Sequence, residues 1–76
     1  MWLVRAFAKS GNELIEEIPL QGFSSAEIRP FFIVSPDDPM YDAYPVTPEI
    51  AAILARFLDR PLDLERFDYF VEFDAD

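Results

Sequence analysis

The chain has 76 residues, of which 15 are acidic and six are basic, and its formal charge at neutral pH is −9. It contains no histidine and no cysteine, which excludes Ser/His and Cys/His nucleophiles, disulfides and zinc–thiolate sites. The acidic excess also opposes nucleic acid binding, because phosphate backbones are bound by neutralising lysines and arginines.

These bounds predict a single compact domain over residues 1–76, ending in a frayed acidic tail at residues 74–76. No segment approaches the roughly 20 apolar residues of a membrane-spanning helix, and no secretory signal layout is present. The lack of cysteine favours a reducing compartment, so we expect a cytoplasmic protein.

The first two predicted elements form a β-hairpin. Segments 2–8 (WLVRAFA) and 13–19 (ELIEEIP) have the composition of strands. The turn between them contains Gly11 and Asn12, two residues that accept a positive φ.

One register of this hairpin brings opposite charges together, because it places Arg5 across from Glu17. The same register pairs Phe7 with Ile15. It also puts Glu16 on the more apolar face, which indicates a β-bulge near that residue.

A first helix is predicted to begin after Phe23. Ser24 has the position of an N-cap, and Glu27 completes a capping box three residues later. Pro30 falls in the second turn, so this helix should be short or kinked.

A second helix is predicted from Thr47 as N-cap and Pro48 as first helical residue to a stop near Asp59 or Arg60, before Pro61. Its apolar positions follow the spacing of a helix face packed on a core. They are Ile50, Ile53, Leu54, Phe57 and Leu58.

Alternation within RFDYFVEF predicts a third strand, which we place beside the first because WLVRAFA is the most apolar strand and suits the centre. The predicted fold is α+β, an antiparallel three-stranded sheet with two helices on one face, in the order ββααβ. The opposite sheet face would then expose apolar residues, as an interface does. The candidates are Leu3, Phe7, Ile15 and Phe70.

Neither catalysis nor a cofactor is predicted. Lys9 lies in a predicted turn, and with two glycines the chain has no glycine-rich phosphate loop. Asp37, Asp38 and Asp42 are closely spaced, but Pro39 and Met40 interrupt the spacing that a calcium loop requires. We therefore expect no metal site and interpret these aspartates as turn formers.

The proline-rich segment SPDDPMYDAYPVTPE, residues 35–49, is predicted to be a rigid recognition edge. Prolines restrict the unbound loop, aspartates accept charge-assisted hydrogen bonds, and tyrosines offer contact area. An alternative is that Met40 and both tyrosines fill the gap between the helices. The predicted partner-binding residues are Asp37, Asp38, Tyr41, Asp42, Tyr44, Asp63, Glu65 and Asp68.

The motifs DDPMYDAYPVTPE and LDLERFDYFVEF resemble a group of small acidic bacterial proteins that combine a DPMY..YPV loop with a C-terminal LD..YDYF.E strand. The likeness covers essentially the whole chain. In size and charge, such proteins are similar to the immunity proteins of polymorphic bacterial toxins. The resemblance implies an inhibitor that occludes a basic toxin, such as a nuclease or deaminase. The alternative is a structural or regulatory subunit, or a homodimer, that docks through the apolar sheet face.

Overall fold

A computed structural model describes residues 1–35, 37–40 and 42–74. In this part of the chain the strands are β1 (Trp2–Ala8), β2 (Leu14–Pro19), β3 (Tyr44–Pro45) and β4 (Phe67–Phe73), and the helix is α1 (Pro48–Leu54). Short 3₁₀ turns cover Ser25–Glu27, Arg29–Phe31 and Ala55–Phe57. The strands form an antiparallel sheet in the order β2-β1-β4-β3.

The predicted fold is wrong in its numbers of strands and helices. Within the described residues the sheet has four strands instead of three, and one short α-helix is present instead of two. The α+β class and the central position of β1 beside β4 agree with the sequence-based expectation.

Two 3₁₀ turns replace the predicted first helix. Pro30 lacks the N–H that an α-helix needs at this position, and its ring crowds the preceding turn, so α-helical bonding cannot continue through it. The turns close through Ile28 N–H to Ser25 O at 3.1 Å and Phe31 N–H to Ile28 O at 3.0 Å. Ser24 Oγ still accepts from a backbone N–H, that of Ala26, at 3.3 Å.

The strand missed by the prediction, β3, is only two residues long and pairs with β4. It includes Pro45, which has no N–H to donate to a ladder. The pairing continues one residue later, where Val46 N–H donates to Tyr69 O at 2.9 Å.

The hairpin contains both the predicted charge pair and the predicted bulge. Arg5 lies opposite Glu17, and the register shifts between Ala6 and Phe7. The predicted pairing of Phe7 with Ile15 is wrong, because this shift places Leu14 opposite Phe7. The extra residue of the bulge thus changes which side chain lies beside Phe7.

Helix α1 begins as predicted and ends earlier than predicted. Thr47 Oγ1 accepts from Ile50 N–H at 3.3 Å, and Pro48 occupies the first helical position. The α-helix gives way to a 3₁₀ turn at Ala55. Ile50 and Leu54 are its fully buried residues and hold it against the sheet.

The core lies between α1 and one face of the sheet. Successive strand residues alternate between faces, so Val4 and Ala6 face this core while Leu3, Arg5 and Phe7 face the opposite side. That opposite side is called the outer face below. The buried core residues are Val4, Ala6, Ile18, Leu20, Ile28, Met40, Tyr44, Ile50, Leu54, Tyr69 and Val71.

Strand β2 forms one edge of the sheet, and its residues are exposed apart from Ile18. Pro19 ends it, and Glu16 on this strand forms an ion pair with Arg60. None of the helices in the described residues is long and apolar enough to span a membrane.

Candidate recognition surface

The acidic loop, residues 35–43, follows the second 3₁₀ turn and is fastened to it by Arg29. The guanidinium donates to Ser35 O at 3.1 Å and to Asp38 O at 2.6 Å. One cation therefore holds two points of the loop backbone. Residues 36 and 41 of this loop, and with them the predicted contact residue Tyr41, lie outside the described residues.

The loop is also held from within. Asp38 Oδ1 accepts from Met40 N–H at 2.8 Å, which stabilises a tight turn. Met40 has a φ of 58°, and its side chain is completely buried in the core. A left-handed conformation is unfavourable for a residue with a Cβ, so burial of this side chain offsets a backbone cost.

Tyr44, predicted as a contact residue, lies in the core with 8% of its surface exposed. Its ring packs on that of Phe32, with centroids 4.7 Å apart. Burial raises the pKa of the Tyr44 hydroxyl, and the negative charges of Asp38 and Asp42 add to this effect. A ring so deeply placed stabilises the fold and leaves little surface for a partner.

Two aspartates of the acidic loop, Asp37 and Asp42, are exposed, whereas Asp38 is half-buried. The Ser35 hydroxyl donates to Asp37 Oδ1, and this hydrogen bond lowers the pKa of the Asp37 carboxyl. The Asp37 carboxyl is therefore charged at neutral pH.

Arg29 contacts the acidic loop, whereas the other basic side chains have partners outside it. Arg29 binds backbone carbonyls, and the Arg66 guanidinium lies 5.6 Å from the centre of the Phe67 ring. The remaining cations form ion pairs with carboxylates. These cations are Arg5, Lys9, Arg56 and Arg60. No ion pair among the described residues includes Asp37, Asp38 or Asp42. Three carboxylates therefore stand against the single guanidinium of Arg29 at this loop, which leaves a net negative charge.

The other predicted contact residues lie around the turn before β4. Asp63 Oδ1 accepts from Glu65 N–H at 3.2 Å, and Asp63 N–H donates to the Tyr69 hydroxyl at 3.0 Å. Glu65 is exposed. Asp68 forms an ion pair with Lys9 at 2.7 Å. Asp63 thus shapes a turn, and the charge of Asp68 is compensated.

The outer face carries a compact charge cluster centred on Arg5. The guanidinium lies 2.6 Å from Glu17 Oε2, 2.7 Å from Glu72 Oε1 and 3.5 Å from Asp74 Oδ2. Hydrogen bonds to Glu17 and Glu72 raise the pKa of Arg5. The ion pairs to this half-buried cation stabilise the sheet, and one guanidinium against three carboxylates still leaves a net negative charge on the cluster.

A groove of about 320 Å³ lies beside this cluster on the outer face. Phe7 and Phe70 contribute a T-shaped ring pair with centroids 5.7 Å apart. Of the predicted apolar patch, Phe7 and Phe70 are half-buried and Leu3 is buried. Asp68 and Glu72 border the groove.

In the described part of the chain, four large exposed apolar residues, Met1, Leu14, Phe31 and Ile33, were not among the sequence-based candidates, and two of them lie close together before the acidic loop. Phe31 is 44% exposed and Ile33 is 107% exposed. A signal for them exists in the sequence, because FFIV follows Pro30 directly and precedes a proline-rich loop. Such a segment can bury only alternate side chains when it is extended. Among the described residues, no three acidic side chains gather into a group suited to a metal ion.

Comparison with known protein families identifies the family of this chain. Residues 1–72 match a family model described as a domain of unknown function, DUF7683. The chain belongs to this family. Comparison with curated proteins finds no match.

Proposed function

We propose that this protein is a non-enzymatic, cytoplasmic binding module that blocks a basic protein by occlusion. A basic toxin, such as a nuclease or deaminase, is the partner whose charge best complements this acidic chain. The protein would then act as an immunity-type inhibitor. The observation that supports this proposal is that the carboxylates of Asp37, Asp38 and Asp42 take part in no ion pair among the described residues, while the one guanidinium at the loop, that of Arg29, binds backbone carbonyls.

The fixed geometry of the loop adds a second reason. Arg29 holds the loop backbone at Ser35 and Asp38, and the buried side chain of Met40 holds it two residues further on. A loop ordered before binding loses less entropy in the complex. Carboxylates on such a loop accept charge-assisted hydrogen bonds from arginine or lysine without rearrangement.

The experiment uses the product of the neighbouring gene, copurified with this protein and then studied by stopped-flow kinetics. The double variant Asp37→Asn, Asp42→Asn should slow association about 10-fold at low salt and flatten its salt dependence. Both residues are exposed, so thermal stability should hardly change.

The matched control is Glu13→Gln, Glu49→Gln. It removes the same two charges from exposed positions outside the acidic loop. If both double variants slow association equally, net charge and not this loop attracts the partner. If no complex forms, or if the association rate does not depend on salt concentration, the proposal is wrong.

The groove on the outer face supports a second candidate function, docking of a structural or regulatory subunit or of a second copy. The Phe7 and Phe70 rings lie on a sheet face that no helix of the described residues covers. Binding there should respond to Phe70→Ala and only weakly to salt, because it depends on apolar contact. This salt response separates the two candidates.

A further inference from the structure

The segment Phe31–Val34, called the apolar strip below, alternates between the core and the solvent. Phe32 and Val34 pack against the core. Phe31 is 44% exposed and Ile33 is 107% exposed. Phe31 ends the second 3₁₀ turn, and the backbone is extended at Phe32, with φ −131° and ψ 150°. Alternation from that residue on is typical of an extended backbone.

The outward residues of the apolar strip have the wrong polarity for a solvated surface. An extended surface segment normally presents polar side chains to water on its outer side. Here the outward positions carry a phenylalanine and a β-branched isoleucine, and exposed Pro30 precedes them. No backbone hydrogen bond joins Ile33 or Val34 to another described residue.

We infer that the apolar strip is the anchor of the recognition surface, inserting Phe31 and Ile33 into an apolar cleft of the partner that is bordered by lysines or arginines. This inference rests on the proposed function, since the same basic partner is meant. It assigns the two regions different roles: the acidic loop attracts the partner, and the apolar strip holds it.

Continuity between the two regions supports this assignment. Asp37 follows Ile33 by four residues, so their Cα atoms lie within about 15 Å of each other. Arg29 ties Ser35 to the 3₁₀ turn in which Phe31 lies. Phe32, inside the apolar strip, packs on Tyr44 at the far end of the acidic loop. A desolvated apolar centre beside a charged rim is the usual anatomy of a binding interface.

Charge decides between a basic partner and a second copy of this chain. Two chains of formal charge −9 would bring the aspartates of both acidic loops together. Repulsion of like charges opposes that arrangement. A basic partner, with lysines or arginines around its apolar cleft, is therefore favoured over a second copy of this chain.

The test places the photo-crosslinking amino acid p-benzoylphenylalanine at position 33, at position 37 and, as a control, at position 15 in the full chain, within the cells that make it. Ile15 is a suitable control because it is also an exposed isoleucine, at 49%. We expect positions 33 and 37 to label one and the same basic protein, and position 15 to leave it unlabelled.

The labelled protein is then purified and titrated with three variants. Ile33→Ser and Phe31→Ser should each weaken binding about 30-fold or more, as hot-spot truncations do. Ile15→Ser should stay within about 3-fold of the parent. All three positions are exposed, so unchanged melting temperatures will show that the variants remain folded.

Several outcomes overturn the inference: no adduct at position 33, an adduct only with a second copy, equal labelling from position 15, or unchanged affinity of Ile33→Ser. Position 37 alone could label a basic protein whose binding depends on salt, with no label from position 33. In that case the role of the apolar strip as an anchor is wrong and the proposed function stands. If the labelled protein is acidic, or if its affinity does not depend on salt concentration, the proposed function is wrong as well.

Discussion

The carboxylates of the outer face and those of the acidic loop differ in what surrounds them. Glu17, Glu72 and Asp74 surround Arg5, whereas no ion pair among the described residues includes Asp37 or Asp42. The first group is part of the sheet, and the second stands on a loop. Net charge alone therefore does not distinguish these two groups of carboxylates, whereas their side-chain ion pairs do.

The largest expected effect tests whether the acidic loop is built into the core as firmly as the helix. Met40→Ala and Leu54→Ala each remove a fully buried side chain. Both should lower the free energy of unfolding by about 2 to 5 kcal/mol, measured by urea denaturation.

A loss below about 1 kcal/mol for Met40→Ala would show that the loop is not anchored by this residue. Ala52→Ser on the exposed side of the helix is a suitable control, since a surface substitution should change stability little.

The second effect concerns the charge cluster of the outer face. Arg5→Met leaves three carboxylates near one another without their cation, and should lower the free energy of unfolding by about 1 to 3 kcal/mol. Arg56→Met provides the comparison, because the Arg56 side chain is 67% exposed in its ion pair with Glu27.

Exposed pairs contribute little, so Arg56→Met should be clearly milder than Arg5→Met. Equal melting temperatures for the two variants would show that the Arg5 cluster stabilises the fold no more than the exposed Arg56–Glu27 pair does.

A smaller effect is expected at alkaline pH, from the tyrosine at the end of the acidic loop. Burial and two nearby aspartates raise the pKa of Tyr44, while an unfolded tyrosine titrates near about 10. Above that pH the native state keeps a proton that the unfolded state releases. Stability from this group is thus complete below about pH 10 and declines as the pH rises toward the raised pKa.

Tyr44→Phe should flatten this decline, while the ring still packs on Phe32. The measurement is the urea midpoint of both proteins between about pH 8 and pH 11, spanning the ordinary tyrosine pKa. Parallel curves for the two proteins would contradict the assignment.

No effect at all is expected from calcium, although the loop aspartates lack cationic partners. Their spacing does not provide the six to eight oxygens of a calcium site. Calcium at about 1 mM, or EDTA, should leave the melting temperature unchanged, because a ligand stabilises only the state that binds it. A saturable upward shift would show that a metal compensates these charges.

The parts of the fold that depend on neighbouring residues were predictable. Thr47 and Pro48 define a helix start locally, and the Arg5–Glu17 pair defines a hairpin register. The parts that depend on distant contacts were not. Strand β3 exists only because β4 lies beside it, and a two-residue strand with a proline has no alternating pattern to detect.

The predicted site divides in the same way. Charge at Asp37 and Asp42 can be taken from the sequence, but compensation cannot, since it depends on where each cation folds. Lys9, for example, is paired with Asp68, 59 residues away in the chain. The exposure of Ile33 likewise depends on the core packing of both its neighbours, Phe32 and Val34, which the sequence does not show.

The β2 edge of the sheet bears on how the protein behaves at high concentration. An uncovered edge strand is a template on which further chains can add and grow into fibres. Here Pro19 lacks the backbone donor that an added strand would need at that position, which interrupts the ladder at the end of the edge. The β2 edge is therefore a poorer template for an added chain than an uninterrupted strand of the same length.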